Sequence, residues 1–272
     1  MNNGGEKLPG CQVPLDPLVD VIAALRQPNG CPWDCEQTHT SLRACLIEEC
    51  YEVVEAIDEN DMNKLQEELG DLLLQIVFQA RIAEEAGAFN ANDVIEGIVD
   101  KMVRRHPHVF GALELKDSHE VVEKWDDIKQ QEREMSAKSD SVLGQIPLQL
   151  PALMRAYKIQ QRAARVGFDW PSINGAWGKL AEEAAEVKAA AADNDFHAVA
   201  EELGDLLFAV VNVARFFQVE PELALASTTA KFERRFHYIE QQAKLTGISW
   251  GDLTLEEMDN LWEQAKEQEC NT

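Results

Sequence analysis

The segment EEAAEVKAAAADNDFHAVAEELGD, residues 182–205, has a counterpart in EECYEVVEAIDENDMNKLQEELGD, residues 48–71, with the shared positions 134 residues apart. Both stretches are rich in Ala, Leu, Glu and Gln and contain no proline, so each reads as helix on either side of a turn-prone pair, Asn60-Asp61 or Asn194-Asp195. The reading is therefore a helical hairpin, made twice. Around Asn60, Glu52 and Glu68 are equally far along the two arms, and Glu49 and Asp71 are equally far one helical turn further out. An antiparallel hairpin sets each pair level, and the i, i+3 spacing keeps both carboxylates of an arm on one face. Glu183, Glu186, Glu202 and Asp205 repeat the arrangement around Asn194.

Working outward, Lys101-x-x-Arg104-Arg105 matches Lys231-x-x-Arg234-Arg235, and Trp125-x3-Lys129 matches Trp262-x3-Lys266. Small changes of offset along the chain imply only loop differences. The whole sequence thus reads as an all-α tandem repeat of two helical-bundle domains, residues 1–136 and 137–272. The cut falls near Ser136, where serine, glycine and proline interrupt the periodicity up to Pro151. The spacing predicts helices over residues 65–85, 199–217, 101–106, 231–238 and 255–268.

Four carboxylates brought together repel, and their pKa values rise unless cations neutralise them. A solvated acidic face is the ordinary alternative. Leu72-Leu73-Leu74 after Asp71, and Leu206-Leu207-Phe208 after Asp205, argue for burial instead. An all-oxygen set of this kind suits Mg²⁺, with Mn²⁺ as the alternative, and Mg²⁺ commonly bridges to a substrate phosphate.

Composition sharpens the point. The 272 residues carry 49 acidic and 25 basic side chains, a formal charge of -24, which disfavours nucleic acid and anionic membranes as partners. A phosphate substrate then needs a local basic cluster, which the Lys-x-x-Arg-Arg segments supply. No stretch is apolar and long enough to span a membrane, and Met1 to Gly10 lacks a secretory core, so a cytoplasmic protein with reduced thiols is expected. Phosphate-loop and dinucleotide glycine motifs are absent, as is a Gly-x-Ser-x-Gly elbow. Cys31-x3-Cys35-x3-His39 lacks a second ligand pair, and His106-Pro107-His108 reads as a rigid turn.

The pattern Glu-Glu-x-x-Glu, fifteen residues, Glu-x-x-Asp resembles the all-α nucleoside triphosphate pyrophosphohydrolases. The phrases Asn29-Gly30-Cys31-Pro32-Trp33-Asp34, Arg104-Arg105-His106-Pro107-His108-Val109-Phe110-Gly111 and Lys231-Phe232-Glu233-Arg234-Arg235-Phe236 are similar to the MazG family within them. The resemblance runs from about Pro14 to Lys266. It implies a homodimer that cleaves nucleoside triphosphates with Mg²⁺ to monophosphate and pyrophosphate, tolerates many bases, and works mainly in its second domain.

Carried over by motif, Glu183, Glu186, Glu202 and Asp205 are implied metal ligands, and these four with Glu182 the catalytic set. Lys179, Glu182, Lys231, Arg234, Arg235, Trp262 and Lys266 are implied to surround the nucleotide. Glu49, Glu52, Glu68 and Asp71 form a possible second metal site. The first copy has Cys45 where the second has Lys179, which lowers the expectation of turnover there. The competing reading is a helical regulatory or scaffold protein that binds metal or nucleotide without turnover.

Overall fold

A computed structural model describes residues 15–135, 141–144 and 146–270 of the chain. Twelve α-helices and one 3₁₀ turn make up the regular structure among the described residues. The chain divides into two compact units between Met135 and Ser136; the cut expected near Ser136, the Met1 to Gly10 stretch and Cys11 lie outside the described residues.

In the first unit, α1 (Asp16–Leu25), α2 (Pro32–Glu36), α3 (Arg43–Asp58), α4 (Met62–Glu85), α5 (Ala91–Arg105), α6 (Pro107–Phe110) and α7 (Ser118–Met135) follow in order. α4 packs along α3 and on α1. Its core is Ile22, Leu42, Val77 and Phe78, closed by Leu18, Leu25, Leu74 and Ile82. In the second, α8 (Ala152–Arg165), α9 (Ile173–Ala192), α10 (Phe196–Phe216), α11 (Pro221–Thr246) and α12 (Leu255–Cys270) repeat the theme. α10 pairs with α9 and α8, while α11 lies on α12 and α8.

The two hairpin turns are built alike. Asn60 and Asn194 take left-handed φ values of 54° and 56°, a conformation that asparagine accepts more readily than most residues. The N–H of Asp61 reaches back to the Ala56 carbonyl at 3.1 Å, and that of Asp195 to Ala190 at 3.2 Å, closing α3 and α9. Each aspartate then caps the next helix. Asp61 accepts from the N–H groups of Asn63 and Lys64, and Asp195 from those of His197 and Ala198. His106-Pro107 marks the sharp junction between α5 and α6, as a proline at the first helical position does.

One expectation is corrected. The apolar runs that follow the aspartates were read as buried, yet Leu73, Leu207 and Phe208 are 39%, 52% and 46% exposed. Within a unit, α3 or α9 covers one side of the carboxylate helix and α1 or α8 another, and two neighbours cannot enclose a helix that is apolar around most of its circumference.

Candidate active site

In the second unit, α9 supplies Glu183 and Glu186 one turn apart, and α10 supplies Glu202 and Asp205 across the hairpin. Carboxylate oxygens of Glu183, Glu186 and Glu202 lie within 4.8 Å of one another. Asp205 stands outside that trio, lining a cavity with Glu183 and Lys179. In the first unit the trio has a different membership, Glu49, Glu68 and Asp71, which match Glu183, Glu202 and Asp205, and Glu52 is hydrogen-bonded to Glu49. Each copy thus gathers three of the four carboxylates, with the fourth beside them.

The charge balance of the two sites differs at one residue. Lys179 Nζ lies 2.5 Å from Glu183 and 2.9 Å from Glu182. Its hydrogen bond holds the Glu183 carboxyl below the usual range, while the hydrogen bond from Glu183 pushes Glu186 up. The first unit has Cys45 in place of Lys179. Burial and then the neighbouring Asp71 and Glu52 raise Glu49; burial and then Glu52 raise Glu68. Both trios are hard oxygen donors short of positive charge, a set that fits a divalent cation.

The implied phosphate-binding residues form a group of their own on α11 and α12. Arg235 donates from Nε and Nη2 to Glu269 at 2.8 and 2.7 Å and lies over the Trp262 ring, 5.5 Å from its centroid. Phe232 packs on the same ring at 5.0 Å. Lys266 pairs with Glu263 at 2.8 Å and Arg234 with Glu269 at 3.8 Å. Lys231 is exposed. The first unit mirrors this group, with Arg104 and Arg105 both on Glu132 and Lys129 over Trp125. The glutamates that hold the arginines were not foreseen. Glu132 and Glu269 each stand seven residues after the repeated tryptophan, so the repeat itself carried that signal.

Sequence reasoning also missed a cavity of about 690 Å³ beside the second carboxylate site. It is bounded by Gln160 and Ala163 of α8, the Gly167–Trp170 loop, and Phe208, Asn212 and Arg215 of α10. That volume suits a nucleoside-sized ligand. Asp169 is bound to Arg215 through Nη1 at 2.9 Å and through Nη2, which ties the loop to α10. Trp170 packs against the backbone at Gly175, where a Cβ would lie 2.6 Å from the indole.

The first unit carries different residues at the matching positions. Phe78 stands 134 residues before Asn212 and Gln75 the same distance before Ala209; Arg26 precedes Ala163 by 137, as Trp33 precedes Trp170. Phe78 is 4% exposed, and the Arg26 guanidinium sits 5.3 Å from its ring centroid. Larger side chains thus stand at the places of Asn212 and Ala163.

Paired helical hairpins, each with a carboxylate cluster at its centre, define an all-α enzyme made of two related units. The MazG nucleotide pyrophosphohydrolase domain matches residues 37–110 and 176–239. A Thermotoga maritima protein named nucleoside triphosphate pyrophosphohydrolase/pyrophosphatase MazG is 47% identical over 93% of this chain and 95% of its own. An Escherichia coli K12 nucleoside triphosphate pyrophosphohydrolase is 46% identical over 94% of this chain and 98% of its own. The Bacillus subtilis protein YabN is 50% identical over 92% of this chain, which spans 51% of that relative. The chain belongs to the MazG family.

Proposed function

We propose that the chain hydrolyses nucleoside triphosphates to monophosphate and pyrophosphate, with Mg²⁺ and broad base tolerance, chiefly in its second unit. The observation that carries this is the adjacency of the Glu183–Glu186–Glu202 trio to a nucleoside-sized cavity that Asp205 lines. The names of the relatives from Thermotoga maritima and Escherichia coli support the reaction.

Glu183, Glu186, Glu202 and Asp205 would hold Mg²⁺, and Mn²⁺ suits the same oxygens. The bound ion supplies charge neutralisation of the triphosphate and an activated water. The residues of the chain do the rest. Lys179, held between Glu182 and Glu183, would lend its ammonium to the phosphates. Glu182, off the ligand column, exposed and paired with Lys179, would orient water or a phosphate-bound cation. Lys231, Arg234, Arg235 and Lys266 offer the positive charge that the molecule otherwise lacks, and Trp262 offers a stacking face. Water adds at the α-phosphorus, the bond to the bridging oxygen breaks, and pyrophosphate leaves.

Homodimerisation fits the exposed apolar faces of α10, where Leu203, Leu207 and Val210 are 44%, 52% and 43% exposed. No described helix is long and apolar enough to cross a membrane. The excess of acidic residues supports a cytoplasmic reading without nucleic-acid or anionic-membrane partners.

Incubation with several nucleoside triphosphates and Mg²⁺, followed by separation of all phosphate products, tests the reading. Monophosphate and pyrophosphate in equal amounts are expected. Diphosphate with inorganic phosphate overturns the cleavage site, and nucleotide binding with no product supports a regulatory protein instead.

A further inference from the structure

Two tryptophans compete for the base of the proposed substrate, and their surroundings differ. Trp262 already has two neighbours on its ring, Phe232 with its centroid 5.0 Å away and the Arg235 guanidinium at 5.5 Å. It does not line the cavity beside the second carboxylate site. Trp170 does, together with Phe168, Lys179, Glu183 and Asp205. Trp170 is 44% exposed and Phe168 84%, and aromatic surface left open at a concave place is characteristic of a ligand-binding wall.

The Trp170 ring is seated on α9. A Cβ at Gly175 would lie 2.6 to 2.9 Å from the indole Cγ, Cδ2 and Cε3 atoms, so the ring rests on the bare backbone there. The preceding residue, Asp169, is bound to Arg215 of α10, which ties the loop to the other arm of the hairpin. From that seat, Gly175, Lys179, Glu183 and Glu186 follow at intervals of four, four and three residues, which places them along one face of α9. Lys179 is therefore about 6 Å and Glu183 about 12 Å along the axis from the seat of Trp170. The facing arm keeps the same order, since Asp205 stands as far from Asn194 as Glu183 does, and Ala209 as far as Lys179. Aromatic ring, ammonium and carboxylates are strung along one line.

We propose that Trp170 is the platform on which the nucleobase stacks, with the ribose over the turn between Gly175 and Lys179 and the phosphates running on from Lys179 to the carboxylates. That order matches the order of parts in a nucleoside triphosphate. Stacking engages the π-face that every base has, so it binds the base without choosing among bases, which gives the site its breadth. Trp262, packed by Phe232 and Arg235, belongs to the α11–α12 group and not to the base. The inference rests on the proposed substrate and on the cavity as its nucleoside subsite.

Calorimetry on the full chain with Mg²⁺ compares α,β-methylene ATP, which resists cleavage between the α and β phosphates, with inorganic tripolyphosphate, which has the phosphates and no base. Trp170→Ala is expected to weaken binding of the nucleotide about 10-fold or more and that of tripolyphosphate by less than about 2-fold. Trp170→Phe keeps a ring and should recover most of the loss. In turnover of ATP the loss should fall on KM, with kcat within about 2-fold of wild type. Equal weakening of both ligands by Trp170→Ala would mean that the ring only supports α9, and an unchanged affinity for the nucleotide would mean that the base lies elsewhere. Either result overturns the proposal, as does a base-dependent loss in Trp262→Ala that Trp170→Ala lacks. Absence of pyrophosphate among the products of ATP overturns the reaction alone, because the binding comparison needs no cleavage.

Discussion

Cys45 and Lys179 occupy matching places in the two units, and only the second carboxylate site has an ammonium on it at that place. In the second, the ammonium sits on Glu183. In the first, Glu49 and Glu68 are raised above the ordinary carboxylate range by burial, with Asp71 and Glu52 adding to the one and Glu52 to the other. A carboxyl whose folded pKa is raised stabilises the fold fully below its unfolded pKa, near 4.3, and that contribution is lost as pH rises through the folded value. The metal-free protein should therefore lose stability from this source as pH climbs past the ordinary glutamate range. Mg²⁺ should restore it, and Glu49→Gln should flatten the slope. Thermal unfolding from pH 4 to 8 with and without Mg²⁺ checks this, and an unchanged slope in Glu49→Gln argues that the site does not sense the repulsion. In the second site, Glu186→Gln or Asp205→Asn removes a ligand charge with little change of volume, so turnover should fall by about 100-fold or more. Helical content by circular dichroism should stay near that of the wild type.

The helical hairpin is the element on which each site depends, because it alone sets the four carboxylates level. Its turn was legible in the sequence: Asn60-Asp61 and Asn194-Asp195 combine a residue tolerant of left-handed φ with a helix-capping carboxylate, and both do those jobs. Asp61→Ala and Asp195→Ala should each cost about 1 kcal/mol, seen as a lower midpoint in urea unfolding. Asp195→Ala should also raise KM for the metal, since slack in the hairpin spreads Glu186 and Glu202, the proposed ligands nearest its turn. An Asp195→Ala protein with unaltered stability would show that packing along α9 and α10 sets the register unaided. The α11–α12 element was legible only in part. Its Lys-x-x-Arg-Arg segment and tryptophan stood out as a repeat, whereas Glu132 and Glu269, which hold the arginines, looked like any other glutamates of an acidic chain.

For the molecule as a whole, duplication has produced two units with the same carboxylates and different surroundings. Phe78 and Arg26 stand in the first where the second has Asn212 and Ala163, and Cys45 provides no ammonium. Glu183→Gln/Glu186→Gln should accordingly abolish pyrophosphate release, while Glu49→Gln/Glu52→Gln should leave most of it. Equal losses in the two variants would mean two working sites, or a first unit that the second requires. The apolar faces of α10 further predict a dimer. Light scattering at micromolar concentration should give twice the 30.5 kDa chain mass, and a monomeric mass would leave Leu207 and Val210 without cover.

The sequence by itself determined the helical class, the twofold repeat, the hairpin turns and the facing carboxylates. These follow from local propensity and from regular spacing along a helix, and both are properties of consecutive residues. The tertiary structure decided which carboxylates come within reach of one another, that Lys179 sits on Glu183, and that a cavity opens in the second unit. The cavity is bounded by α8, a loop and α10, which are distant in sequence. Whether Gln160 meets the Phe208 carbonyl, or Arg26 meets Phe78, depends on how helices pack and on which side chain is large at each contact. No periodicity along the chain encodes that.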